Sequence, residues 1–317
     1  MRKISQIIVF LFIFVSLTLS SSKGSTTAAI LRFYPSSEAS GIGNAFVAVG
    51  DSIESIFYNP AALTQLKDKN FSANYTKWIF DTYDASLGFA YPYLKHVFGC
   101  SVRYFYMGEI EEIQDPQEVS PARTSLYDLV ASVVYAYKIK ENMSVGISLK
   151  NLIQSYTKNY NASSFAFDIS GKFTFNKNIS LGVNILNIGP SVKFENVEEK
   201  LPLIIKMGVG YTLSKFKVGL DLDILTNSGV KLYLGGEYKA TDEVKLRVGY
   251  QQIDEFNLTK GLSFGIGYES QQFTSNSFDL LASAKQLNSP IIFVNYSITY
   301  LSEELLFVHR IGIGTKF

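Results

Sequence analysis

The chain has 317 residues and a formal net charge of +1, with 29 Lys and Arg against 28 Asp and Glu. That balance gives no electrostatic case for nucleic acid as a partner. Hydrophobic residues make up 47% and aromatics 14%, yet there is one Cys (Cys100) and two His (His96 and His309), which excludes an internal disulfide and leaves no metal-ligand spacing.

Arg2 and Lys3 open the chain, an apolar run follows from Ile7 to Leu19, and small residues occupy Ser20 to Ser22. Charged, apolar, small is the order of a secretory signal peptide, so residues 1–22 are assigned to one. The apolar core is shorter than the ~20 residues a spanning helix needs. An uncleaved anchoring helix is the alternative. No cysteine stands near the cleavage region, which speaks against lipoprotein processing. No later stretch is apolar and long enough for a membrane helix.

Residues 23–69 follow a different pattern. Ala39 to Val49 is rich in small residues. Asp51-Ser52-Ile53-Glu54 has capping-box spacing, with the Glu54 carboxylate expected to reach back. Asn59-Pro60 offers a helix cap followed by proline at the first helical position. These signals predict two short helices in a compact element able to sit inside a barrel. A loosely packed periplasmic extension is the alternative.

From about Asn70 onward the pattern has period two. In Leu262 to Tyr268 every second residue is apolar, and Ser or Gly stand between. Val244, Leu246, Val248 and Tyr250 alternate with Lys245, Arg247 and Gly249; Phe216 to Ile224 alternates with Lys217, Gly219, Asp221 and Asp223. Met143 to Leu149, Ile179 to Ile185 and Ile205 to Tyr211 read the same way. Such segments are strands with one apolar and one polar or small face. Many apolar faces end in an aromatic (Tyr137, Tyr211, Tyr238, Tyr250, Tyr268), as interfacial girdles require.

Short polar turns (140–142, 176–178, 214–215, 241–242) alternate with longer connections at 109–124, 154–164, 188–202 and 251–260. That alternation is the bacterial barrel pattern. The predicted fold is all-β: a transmembrane antiparallel β-barrel of about 14 strands over residues 70–317, with the short helices of 23–69 inside its lumen. One segment resists the count. Residues 271–289 fall where a short turn belongs, and Phe278, Leu281, Ala282 and Lys285 have helical spacing. A short periplasmic helix is assigned there; an extra strand would make the number odd. The chain ends on Phe317 after an alternating strand, and this terminal aromatic is assigned as the signal read by the barrel-assembly machinery.

Gly41 to Leu63 resembles the N-terminal region of the PorV/PorQ family, which is related to FadL-type long-chain fatty acid transporters. The matching residues are Gly41 and Gly43, Ala45 to Ala48, Asp51, and Asn59 to Ala61; Ala62 departs from the glycine often found there. His309-Arg310-Ile311 before Phe317 also resembles the family. The resemblance implies a 14-stranded barrel plugged by an N-terminal hatch, and it marks Gly41, Gly43, Asn59, Pro60 and Ala61 as hatch or gate residues. In FadL-type proteins the route leaves laterally through a gap in the wall.

Catalysis has little support. There is no Gly-x-Ser-x-Gly elbow, Cys100 lacks an activating context, and His309 shares the face of Ile311 and Ile313. Asp221 and Asp223 share a face, which a solvated lumen wall explains. The Gly-Ile-Gly triplets at 41–43 and 265–267 are not phosphate loops. No enzyme activity and no cofactor are expected. The expected location is the bacterial outer membrane, with its lipid as surroundings. Two functions remain open. One is passage of a lipid-like hydrophobic solute; the other is a non-conducting accessory role in type IX-like secretion, with secreted proteins as partners. A membrane-embedded hydrolase is a distant third.

Overall fold

A computed structural model describes residues 28–112, 122–157, 160–195, 197–225, 229–253, 260–271, 290–303 and 305–317. The assigned signal segment 1–22 and the assigned helix, from residue 272 on, lie outside the described residues.

The alternating segments are strands: β1 (Asn70–Lys77), β2 (Tyr83–Tyr93), β3 (His96–Glu112), β4 (Ala122–Lys140), β5 (Met143–Ser155), β6 (Asn161–Thr174) and β7 (Ile179–Ile188). A small separate hairpin, β8 (Val192–Phe194) with β9 (Val197–Glu199), occupies the predicted 188–202 connection. The wall resumes with β10 (Ile204–Thr212), β11 (Phe216–Leu225), β12 (Gly229–Lys239) and β13 (Val244–Gln251), and ends with β14 (Leu262–Glu269), β15 (Ile291–Ser302) and β16 (Leu306–Lys316). All but β8 and β9 form one closed antiparallel barrel of 14 strands. The seam joins β1 to β16 from Asn70↔Lys316 to Lys77↔His309, and Lys69 and Phe317 exchange backbone hydrogen bonds at its foot.

The two faces of each strand sort as the alternation predicts. Phe165 is 57% exposed, Phe167 41% and Phe264 57%, while their adjacent polar or charged neighbours Ser164, Asp168 and Ser263 are buried. A soluble sandwich would reverse that arrangement. Aliphatic side chains therefore face outward around the belt, and backbone polar groups are satisfied by a ladder without an edge.

Tyr137, Tyr211, Tyr238 and Tyr268 lie toward the short-turn end, as a girdle does. Tyr250 departs from that expectation: it stands at the other end of β13 and is buried. Toward the long-loop end, Tyr75, Tyr83, Tyr104, Tyr106 and Tyr127 form a second aromatic cluster, with Tyr83–Tyr106 stacked at 5.0 Å. β3 and β4, at 17 and 19 residues, are longer than the ~9–11 a crossing requires. They stay paired to Glu112↔Ala122 and project past that cluster.

Residues 28–66 carry short helical turns: 3-10 turns at Ala29–Leu31, Ile53–Phe57 and Pro60–Gln65, and an α-helix α1 (Ser37–Gly41). Most of the stretch from Tyr34 to Thr64 is buried. Its partners are inward-facing residues from both halves of the wall, so it fills the lumen.

Candidate functional site: the filled lumen and its outer cavity

Irregular backbone inside a barrel must find partners for its carbonyls and amides. Here the wall supplies them. Ser144 Oγ donates to Ala61 O at 2.9 Å, Ser180 Oγ to Ala48 O at 2.9 Å, Asn184 Nδ2 to Tyr58 O at 2.7 Å and Lys172 Nζ to Gly50 O at 2.8 Å. In the other direction, Val47 N donates to Asp221 Oδ2 at 2.9 Å. The wall residues that alternate with the lipid-facing ones are thus a prepared surface for this segment.

Ion pairs add a second layer of attachment. Lys217 reaches Asp51 at 2.6 Å and Glu237 at 3.5 Å; Arg247 reaches Glu237 at 2.7 Å and Glu38 at 3.6 Å. Arg103, held by Asp84, donates to the carbonyls of Ile30 and Phe33 at 2.5 and 2.6 Å. Lys206 is fully buried, 3.2 Å from Asp223 and over the rings of Tyr34 at 4.1 Å and Tyr233 at 4.4 Å. Cation–π contacts gain strength when desolvated, as here. Tyr34 donates to Asp223 Oδ2 at 3.0 Å. Burial first, and then the Asp223 carboxylate, push the Tyr34 phenol well above its usual range, so it remains a donor.

The individual caps follow local rules, with one correction. Asn59 caps the turn at Pro60–Gln65, accepting from Ala61 N at 3.1 Å, and its Nδ2 donates to Val47 O at 2.9 Å and Gly171 O at 3.3 Å. Ser52, not Asp51, caps Ile53–Phe57. The Glu54 carboxylate does not reach back; it accepts both hydrogen bonds offered by Asn74 Nδ2, at 3.1 and 3.0 Å. A wall amide inside the barrel outcompetes the local box, because the carboxylate is buried and Asn74 aims at it from β1. Asn74 Oδ1 meanwhile accepts from Ser37 N at 3.2 Å. Burial, then the neighbouring Glu38 charge, raise the Glu54 pKa to about 7.

On the long-loop side of this segment lies a cavity of about 690 Å³. Phe33 and Tyr34 border it from the segment; Trp78, Tyr233, Ile204, Leu225, Leu301 and Arg310 border it from the wall. Most of its exposed lining is apolar, but four basic side chains (Arg32, Lys231, Lys260 and Arg310) and one acid, Asp223, also border it. Its size is that of a small-molecule pocket.

A family model described as Type IX secretion system protein PorV matches residues 20–226, more than half of the chain. The chain belongs to the PorV family. Solved structures share the architecture. The Pseudomonas putida toluene transporter TodX aligns with a TM-score of 0.59 at 11% identity, covering 87% of this chain and 95% of that one. A monoaromatic hydrocarbon channel, CymD, gives 0.59 at 13%, covering 89% and 97%. A Pseudomonas aeruginosa FadL homologue gives 0.55 at 12%, covering 94% and 99%. At these identities the likeness is one of fold. No curated protein sequence matched. The family, the closed barrel and the lipid-facing belt together place this PorV-family chain in the bacterial outer membrane.

Within this PorV-family chain the residues singled out from sequence lie against two separate parts of the wall, Gly41 and Gly43 against β13 and β14, and Pro60 and Ala61 against β5 and β6. Gly41 ends α1 against Arg247 and Gly265; a β-carbon there would stand 3.1 Å from Arg247 Cδ. Gly43 has φ +62° and lies directly against the backbone of Tyr250, where a side chain has no room. Pro60 and Ala61 press on Gly146, whose β-carbon would come 2.6 Å from Ala61 N. Ala61 N also donates to Ser170 Oγ at 3.0 Å. Phe317 is exposed at the short-turn end.

His309 faces outward and shares a 2.7 Å hydrogen bond with Tyr296. Asp221 and Asp223 are taken by Val47 and by Lys206 with Tyr34. Neither arrangement is a reacting pair. Among the described residues no group of three or more His, Cys, Asp or Glu could hold a metal ion. Sequence reasoning missed Arg310 as a cavity residue and missed Lys206 altogether. Each stands in polar phase on its strand, the one signal available.

Proposed function

We propose that this protein passes hydrophobic small molecules across the outer membrane, and that residues 23–69 form the hatch that gates the passage. The observation that carries this reading is the 690 Å³ cavity on the long-loop side, lined by aromatic and aliphatic side chains together with several basic ones, directly above the segment that fills the lumen. A hydrophobic solute captured there meets the segment next, so passage requires the segment to shift. Gly41, Gly43, Asn59, Pro60 and Ala61 are the contacts that seat it. The solved relatives named as a toluene transporter and a monoaromatic hydrocarbon channel support the same reading.

Ser40 Oγ and Thr299 Oγ1 lie 3.2 Å apart, one on α1 and one on β15. Replacing both by cysteine in a Cys100→Ser background brings two thiols within bonding range. Cells carrying the protein should accumulate radiolabelled naphthalene faster than cells without it. The oxidised double variant should lose that gain, and reductant should restore it. Equal uptake with and without the protein would refute passage.

The family model favours a second reading, an accessory role in protein secretion. It predicts co-purification with exported proteins and type IX genes in the same genome. A genome without those genes excludes it.

A further inference from the structure

Arg310 is 2% exposed and has no carboxylate of its own among the described residues. Its Nη1 donates to Thr299 Oγ1 at 3.0 Å, its guanidinium lies 5.4 Å from the centre of the Trp78 ring, and its Nε has no hydrogen-bond partner. Among the described residues it forms no ion pair. The neighbouring carboxylate, Asp84, is committed to Arg103 through contacts of 2.8 and 3.2 Å to Nε and a third to Nη2. Asp223, the acid that borders the cavity, is committed to Lys206 and Tyr34. Two buried guanidiniums thus share one carboxylate, and the one facing the cavity is left over.

A buried, uncompensated charge is costly, and an anion that arrives to meet it relieves that cost. A guanidinium is a fork that matches the two oxygens of a carboxylate; the Nε edge is sealed from the cavity as it stands, so the side chain turns to present it. The surroundings restrict what can be attached to that carboxylate. Trp78 and Phe33 pack at 5.0 Å with a 53° tilt, immediately beside Arg310, and both border the cavity. A flat apolar body extending from the carboxylate would lie on these rings.

We propose that Arg310 is the anion-binding residue of the outer cavity and that the site takes an aryl carboxylate, a single negative charge on an aromatic body. This rests on the cavity being an entry site and refines the class of solute. A neutral hydrocarbon fills the volume and leaves Arg310 uncompensated. A carboxylate fills it and completes the charge.

Trp78 is the one tryptophan of the chain, so its emission reports this site alone. The full-length protein in lipid nanodiscs is titrated with 2-naphthoate and with its neutral counterpart 2-methylnaphthalene, by calorimetry and by Trp78 emission. The naphthoate should bind saturably and at least about tenfold more tightly, the scale of a charge-assisted hydrogen bond. Arg310→Gln should remove that preference while the neutral compound binds as before. Equal affinity for the two compounds on the unaltered protein would overturn the proposal whether or not the variant folds. So would unchanged naphthoate binding in Arg310→Gln, or binding of neither compound. Naphthoate binding in a protein whose cells take up neither naphthalene nor 2-naphthoate faster than cells without it would refute passage and leave the anion site standing.

Discussion

Asp221 and Val47 stand 174 residues apart in the chain and meet at 2.9 Å, a wall carboxylate accepting a backbone amide of the luminal segment. Asp221 is fully buried and its Oδ1 has no hydrogen-bond partner, so this contact is much of what compensates it. Asp221→Ala should free the Val47 amide and weaken docking of the segment by about 1–3 kcal/mol, the cost of a lost buried partner. Asp221→Asn keeps an acceptor and should lose less. Hydrogen exchange at residues 45–50 is the readout, with heat-modifiable gel migration as the control for an intact barrel. Unchanged exchange in Asp221→Ala would remove this contact from the docking account.

Depth in the bilayer sets the second prediction. Leu149 of β5 pairs with Val133 and Phe167 across neighbouring strands, and Val133 sits on β4 between Tyr127 and Tyr137, which puts the pair near the midplane. Leu246 is only the third residue of β13 from its short-turn end. Leu149→Lys should cost ~2–4 kcal/mol in a refolding titration, and Leu246→Lys ~0–1 kcal/mol. Lys245→Leu exchanges the 3.2 Å pair with Glu269 for apolar surface at the rim and should be mild. Equal costs at 149 and 246 would contradict the placement of the belt.

Glu54 makes seating of the segment depend on pH. Its carboxyl has a pKa of about 7 when docked, against an ordinary value of 4.5 when free. The docked form therefore holds more protons between those values, and docking weakens as pH rises from about 4.5 through 7, then levels off. The span is at most about 3 kcal/mol. Glu54→Gln keeps a neutral group in place and should flatten the profile. The measurement is exchange protection of residues 53–66 from pH 5 to 8, corrected for intrinsic rates. Protection that rises with pH would mean that Glu54 is seated as a carboxylate instead of a carboxylic acid.

Phe317 is proposed as the residue read during assembly. Its side chain lies exposed at the end of the seam while its backbone is held by Lys69. Phe317→Ala should leave refolding in detergent unchanged and lower the yield of protein in the outer membrane of cells. Loss in both assays would make its role structural.

The wall was legible in the sequence because alternation has one period and two very different solvents. Residues such as Leu262 to Tyr268 can satisfy lipid on one side and a crowded polar interior on the other in only one way. Asn59 and Pro60 were legible because a cap followed by proline acts over a few residues. What escaped depends on pairs far apart in the chain. Glu54 turns to Asn74 of β1, and Lys206 of β10 finds Tyr34 of the N-terminal segment. Arg310 looked like one more polar residue in an alternating strand. Only the closed ring shows that Asp84 is already occupied by Arg103 and leaves it unmatched.

Lys69 hydrogen-bonds to the terminal residue of the chain, and the luminal segment hangs from Lys69. Asn74, in the same seam strand, holds both Ser37 and Glu54 of that segment. The strand that fastens the ring is therefore also the strand that holds its contents, so cargo and fastener share a single stretch of polypeptide. A substitution that spoils the seating of the interior should be felt first where the two ends of the wall meet.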